Sequence, residues 1–400
     1  MSARAERQTV RLIRVLLGFE AVLYSVITPV LPHYAHEFGA SKPAIGLLAA
    51  AYPAGMLPGS ALGGWIATRA GVRRTTVVGL LLFTAAIVPY GFGSSIVMLD
   101  ALRFIQGIAC GCIWGGGLAW VIAIAPRDRR GEVLGSVIAA AVFGTIAGPI
   151  LGTLAVAAGT QVVFACVGVV ALGLTFWTLA FSEPPAASLG GGAPLRALFL
   201  NRQFMLGAWL VLLVACTIGA TGTLLPLRLA HFGASGIAIG ITFVFESLVA
   251  TVLTPWTGRV IDRRGLFVPL CVGLALTGVL TAVLPLPRSV LALAVLTVLA
   301  MGGPLTAMTM PAMSMMTDAV ERIGAALAFG TMVLNLAWGL GETVGAPAAA
   351  TLSRATSDAV PLLLIAALML VTLWPVLLER SRRRRERQLE VGAALVRSSS

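Results

Sequence analysis

The chain has 400 residues, of which 58% are hydrophobic and only 11% charged, and its mean hydropathy is +0.95. Soluble domains average about 45–50% apolar, glycine included, and about 25% charged, so this composition excludes a water-covered globule and predicts an integral membrane protein. The net charge of +12 does not point to nucleic acid, because the arginines sit in short stretches between apolar runs and in the tail from Arg380 to Arg387. That placement suits membrane orientation and anionic headgroups, not a groove-reading face.

The first residues are basic (Arg4, Arg7, Arg11 and Arg14), and an apolar run starts at Val15. No small-x-small cleavage site follows convincingly, so the segment is expected to stay as a first membrane helix. Crossing a hydrocarbon layer of roughly 30 Å takes about 20 apolar residues. Six such spans are predicted near Leu12–Pro32, Ala44–Thr68, Thr75–Phe92, Val97–Ala125, Leu134–Ala158 and Val162–Phe181. Six more follow near Phe204–Ala230, Gly236–Val260, Phe267–Leu286, Val290–Thr317, Ala325–Leu352 and Ala359–Leu378. The break from Ser182 to Gln203 holds Pro184, Pro185 and the run Gly190-Gly191-Gly192. The expected organisation is therefore an N-terminal six-helix half at 1–181, a cytoplasmic linker at 182–203, a C-terminal half at 204–378 and a basic tail at 379–400.

Arginine bias sets the expected orientation. One set of connections carries Arg69, Arg73 and Arg74; Arg127, Arg129 and Arg130; Arg196 and Arg202; Arg259, Arg263 and Arg264; and Arg322. The opposite set holds little beyond Lys42, Arg228, Arg288 and Arg354. Both termini are predicted to be cytoplasmic in a multi-pass cell-membrane protein. The five cysteines lie in apolar segments without metal spacing, and His33, His36 and His231 near outer helix ends lack it too.

An internal repeat divides the chain. Phe38-Gly39-Ala40-Ser41, followed by Ala44-Ile45-Gly46, recurs as Phe232-Gly233-Ala234-Ser235, followed by Ala238-Ile239-Gly240, an offset of 194. The same offset carries Gly64 to Gly258 and Gly71 to Gly265, and an offset of 193 carries Gly148 to Gly341 and Gly152 to Gly345. Parallel repeats of this kind build one class of membrane transporter.

Four motifs now make the chain resemble the major facilitator superfamily over nearly its whole length. Between spans 2 and 3 that family has G-x-L-a-D-r-x-G-r-k; here Gly64, Arg69, Gly71 and Arg73 match, but Thr68 stands at the acidic position. The second half keeps the acid, in Gly258, Asp262, Arg263 and Gly265. Arg103-Phe-Ile-Gln106-Gly107 is similar to the family's R-x-x-q-G, and Gly144, Gly148, Pro149 and Gly152 resemble the pattern of its twelve-helix drug:H+ antiporters. Pro29 and Pro32 resemble the proline pair of that group. The resemblance implies an all-α membrane fold of twelve transmembrane helices in two pseudo-symmetric six-helix bundles. The glycines also have a plain physical reading: Gly144, Gly148 and Gly152 form one stripe on a helix, where a neighbour can approach closely. That seam either only packs or also closes the cavity against ion leak. Gly71 and Gly265 are expected to end turns at positive φ.

Ionisable groups within spans are functional candidates because lipid makes them costly. Four lie well inside: Glu20, Arg103, Glu246 and Glu342. Helical spacing gives them polar company in the stripes Glu20–Tyr24–Thr28, Arg103–Gln106–Cys110–Trp114 and Thr331–Asn335–Trp338–Glu342. A structural pairing of a carboxylate with Arg103 is the bland alternative. Span 10 carries Met310 and Met313 among five methionines, either as core filler or as an adaptable binding surface. Glu20, and after it Glu342, is the expected shared site for proton and cationic substrate. Cavity lining is expected from Tyr24, Thr28, Gln106, Trp114, Asn335, Trp338, Met310 and Met313.

The predicted function is proton-coupled efflux of small amphipathic or cationic compounds by alternating access; proton-coupled transport of a sugar, amino acid or other metabolite is the alternative. An enzyme would need a nucleophile–base pair or metal ligands, and none is recognisable. No GxxxxGK[ST] loop is present to bind ATP, and no cofactor is expected. The expected partners are a small-molecule substrate, protons and the lipid bilayer, with no nucleic acid and a monomeric chain.

Overall fold

The computed structural model describes residues 3–126, 129–182, 198, 200–322 and 327–398. Most of the 182–203 linker, together with Arg127 and Arg196, lies outside the described residues, as does the side chain of Thr331. Among the described residues every regular element is helical. The first crossing is α1 (Ala3–Ser25) followed by the short α2 (Leu31–Glu37). It breaks where Pro29 lacks the N–H that would bond Ser25 and Pro32 restarts the helix. The N-terminal half continues with α3 (Lys42–Ala70), α4 (Val72–Gly91), α5 (Ile96–Ile124), α6 (Arg130–Ala158) and α7 (Thr160–Leu179). The C-terminal half has α8 (Arg202–His231), α9 (Gly236–Arg264) and α10 (Phe267–Val283). Next come α11 (Val290–Thr297), a π-helical segment at Val298–Leu305 and α12 (Thr306–Arg322), which together form one crossing. Helices α13 (Leu327–Ala355) and α14 (Ala359–Ser398) close the chain.

Among the described residues nine helical stretches are long and apolar enough to cross a membrane by length and composition. Three further helices depart from that simple pattern. They are α1, with its arginines and Glu20; α10, which has only 17 residues; and α13, with Asn335 and Glu342. The π-helical segment contains Gly302, Gly303 and Pro304; a wider turn accommodates a proline that an α-helix would have to kink around. Helix α14 runs through residue 379 without a break, so the start of the basic tail is not a structural boundary. There Glu379, 4% exposed, accepts from Arg383 Nε at 3.1 Å and has Arg202 Nε at 4.0 Å, joining the end of the chain to the start of α8.

The buried apolar residues form two separate clusters, one between Val10 and Leu174 and one between Leu198 and Val376. Large apolar side chains on the outside, such as Phe143, Phe176, Trp256 and Trp374, suit hydrocarbon in place of water. The repeat is visible in the backbone. Gly71 and Gly265 have φ of 96° and 77°, and Gly39 and Gly233 have 57° and 87°.

Within each half, glycines let helices touch backbone to backbone. A Cβ on Gly148 would lie 2.5 Å from the Val22 carbonyl and closer still to Ser25 Oγ, while Gly144 and Gly152 face the carbonyls of Gly18 and Val26. The seam thus packs α6 on α1. Its repeat partners do the same to α8: a Cβ on Gly341 would sit 2.5 Å from the Leu212 carbonyl, and Gly345 faces Cys216.

The halves meet through α3 against α13 and α6 against α9. Gly46 packs on Ala346, Pro347 and Ala350, and Gly240 packs on Thr153. At this end Lys42 is ion-paired with Asp358 and donates to Ser353 Oγ at 3.1 Å. Burial would push the Asp358 carboxyl up, but hydrogen bonds from Lys42 and Ser353, with the charges of Lys42 and Arg228, hold it below its ordinary value. At the opposite end Arg69 lies over the Trp65 ring at 4.5 Å, and Thr68 Oγ1 donates back to the Trp65 carbonyl at 3.0 Å. Arg73 Nη1 donates to the Phe181 carbonyl at 2.7 Å, fastening α4 to the end of α7. Asp262, Arg263 and Gly265 are exposed, and open space lies above Gly64 and Gly258.

Candidate functional site

A cavity of about 340 Å³ lies between the halves, walled by α1, α2, α3, α5, α6, α8, α9, α12 and α13 and by the π-helical segment. The break in the first crossing places Ser25, Ile27, Thr28 and Leu31 on its wall, and the π-helical segment contributes Met301 and Leu305. Two carboxylates, Glu246 and Glu342, line it together with Arg103. Apolar surface comes from Phe243, Met310 and Trp338, and hydroxyls from a run of threonines.

The three acidic residues singled out in the sequence have different surroundings. Glu20 is 2% exposed and is set back from the cavity wall. The Tyr52 hydroxyl donates to its Oε1 and the Trp114 indole N–H to its Oε2, so each oxygen has a donor. Glu342 is 4% exposed but lies on the wall; its Oε1 accepts from the Tyr24 hydroxyl and, at 3.0 Å, from Trp338 Nε1. The Tyr24 bond joins the two halves directly. Glu246 is half-buried on the wall, and its partner is the hydroxyl of the adjacent Ser247 at 3.3 Å.

Arg103 does not serve as the partner of Glu20. Its Nη1 donates to the Leu23 carbonyl at 3.3 Å and to Gln106 Oε1 at 3.1 Å, and its guanidinium lies 4.4 Å from the centre of the Tyr52 ring. Burial of a guanidinium needs such companions, because an uncompensated charge in low dielectric is strongly unfavourable. Tyr52 in turn contacts Tyr24, ring centres 5.9 Å apart. An aromatic pair therefore stands between the carboxylate of one half and that of the other.

Of the expected lining residues, Tyr24, Thr28, Trp338 and Met310 are on the wall. Four are not. Gln106 is fully buried against Arg103, Trp114 turns its N–H to Glu20, Met313 packs on the C-terminal core and Asn335 is half-buried elsewhere. Helical spacing puts Gln106 and Trp114 in line with Arg103, but of the three only Arg103 reaches the wall, and the other two turn into the interior of their own half. Tyr52 was missed: a lone tyrosine in an apolar span gives no periodic signal. On α9, Ser247, Thr251 and Thr254 fall at i, i+4 and i+7 and line the cavity beside Glu246.

Comparison with known proteins gives one consistent pattern. The profile described as Major Facilitator Superfamily matches residues 15–342. The MFS-type transporter C18.02 of Schizosaccharomyces pombe is 28% identical over 146 residues, 35% of this chain and 33% of that protein. Quinolone resistance protein NorA of Staphylococcus aureus is 25% identical over 227 residues, 54% of this chain and 58% of NorA. The matches thus span between a third and three-fifths of these relatives' lengths. A crystal structure of a bacterial homolog of the human lysosomal transporter Spinster, inward-facing and unoccupied, superposes with a TM-score of 0.75 at 15% identity, covering 94% of this chain and 96% of that one.

Proposed function

Because the chain belongs to the Major Facilitator Superfamily, we propose that it is a proton-coupled exporter of small amphipathic or cationic compounds, working by alternating access. The observation that carries this reading is Glu342, a carboxylate on the cavity wall of one half that is hydrogen-bonded by Tyr24 of the other. A proton on Glu342 removes the negative charge that strengthens the hydrogen bond from the Tyr24 hydroxyl. Protonation therefore acts on a bond between the halves, which is what coupling a gradient to their rocking requires. The arginine-poor end, with Lys42 and Asp358, faces outward under the positive-inside rule. The halves are in contact at that end, which supports a cavity reached from the cytoplasmic side in this conformation. NorA's name, Quinolone resistance protein, supports efflux of amphipathic compounds. The chain acts in the cell membrane as a monomer, with both termini cytoplasmic.

The test is counterflow in reconstituted vesicles. A fluorescent organic cation is loaded, a pH gradient is imposed, and exchange is followed for the wild type and Glu342→Gln. The wild type should accelerate with the gradient, and the variant should exchange at a rate independent of it. Gradient-driven exchange of wild-type strength in Glu342→Gln refutes the assignment.

A further inference from the structure

The structure separates the three membrane carboxylates by what they already bind. Glu20 has a donor on each oxygen, and Glu342 has two on one oxygen. Glu246 has, among the described residues, the Ser247 hydroxyl as its one donor and lies on the cavity wall. The hydroxyls beside it have their protons engaged within the protein. Thr251 Oγ1 donates to the Ser247 carbonyl at 2.8 Å, and Thr254 Oγ1 donates to the Ala250 carbonyl at 2.8 Å. Across the cavity Thr309 Oγ1 donates to the Leu305 carbonyl at 2.7 Å. A hydroxyl whose proton is held by its own helix has only lone pairs left for a ligand. Arg103, the one cation on the wall among the described residues, is 1% exposed. This side of the cavity is therefore an accepting surface around a carboxylate with free lone pairs, beside the apolar Phe243, Met301 and Leu305.

Resting on the exporter reading above, we infer that Glu246, with Ser247, Thr251 and Thr254, forms a subsite for a protonated primary or secondary amine carried on an apolar body. A quaternary ammonium has the same charge but no N–H to give to the threonine oxygens. Glu342 then remains free for the proton, so substrate and proton act on different carboxylates. A site built to accept hydrogen bonds discriminates against an analogue without donors, because its buried acceptors lose water and gain nothing.

Binding of 4-phenylbutylammonium and its N,N,N-trimethyl analogue, both cationic at pH 7, tests this by calorimetry on the purified full-length protein. The amine should bind about tenfold more tightly, the ratio corresponding to one charge-assisted hydrogen bond. Thr251→Val with Thr254→Val should narrow that gap, because the amine loses threonine acceptors that the quaternary cation never uses. Glu246→Gln should weaken both cations. Equal wild-type affinities, or an amine preference that survives both variants undiminished, overturn the subsite and leave the exporter reading standing. If the wild type neither binds nor exports any cation, the exporter reading fails and the subsite with it.

Discussion

Replacing Gly148 with alanine is expected to destabilise the protein through a single close approach. The added Cβ would lie 2.5 Å from the Val22 carbonyl carbon's oxygen, a backbone atom, and closer to Ser25 Oγ. Ser25 has little freedom to withdraw, since its hydroxyl has one proton to give and sits between the Ala21 carbonyl at 2.9 Å and the Thr145 carbonyl at 3.2 Å. Helix α6 must therefore move away from α1 over the seam that also includes Gly144 and Gly152. Overpacking of this kind costs about 1–3 kcal/mol, against a helix-propensity gain of about 0.5–1 kcal/mol for glycine to alanine. The expected net loss of roughly 1–2 kcal/mol lowers Tm by about 2–8 °C for a half of this size. Gly148→Leu should lose more, and transport with it, while still inserting, because leucine is well tolerated in lipid. Gly64→Ala is the control: open space lies above it, so it should be neutral or slightly stabilising. Thermal unfolding in detergent reads all three. Equal Tm values for Gly148→Ala and Gly64→Ala would refute the close-contact argument.

Glu20→Gln should fold and bind organic cations with wild-type affinity, since its amide can accept from Trp114 and donate to the Tyr52 hydroxyl; a tenfold loss of cation affinity would return Glu20 to the binding site. Lys42→Ala should lower stability by about 0.2–1 kcal/mol at pH 7, a modest figure because the pair is partly solvated. The Asp358 carboxyl is held below its ordinary value, so its contribution is present above about pH 4 and is lost as pH falls through the folded value. The difference between wild type and Lys42→Ala should accordingly vanish in acid, and a difference that persists there would show that Lys42 acts by packing alone. Reporter fusions after Arg202 and after Ser400 should both read cytoplasm, and an external signal at either would overturn the proposed orientation.

Composition and the spacing of arginines determined that this chain lives in a bilayer, because hydrocarbon fixes the length and polarity of anything that crosses it. The offset of 194 marked the repeat, and the paired positive φ of Gly71 and Gly265 follows from it. Even the break in the first crossing has a local cause, in Pro29 and Pro32. The roles of the three carboxylates have no such local cause. In sequence Glu20, Glu246 and Glu342 are each one acid in an apolar helix. What distinguishes them are donors brought from far along the chain: Tyr52, 32 residues from Glu20; Trp114, 94 residues from it; and Tyr24, 318 residues from Glu342. A hydrogen bond between distant helices leaves no periodicity in either one. Only the packing of α1 against α3, α5 and α13 decides which carboxylate is already satisfied and which still faces the cavity with lone pairs to offer.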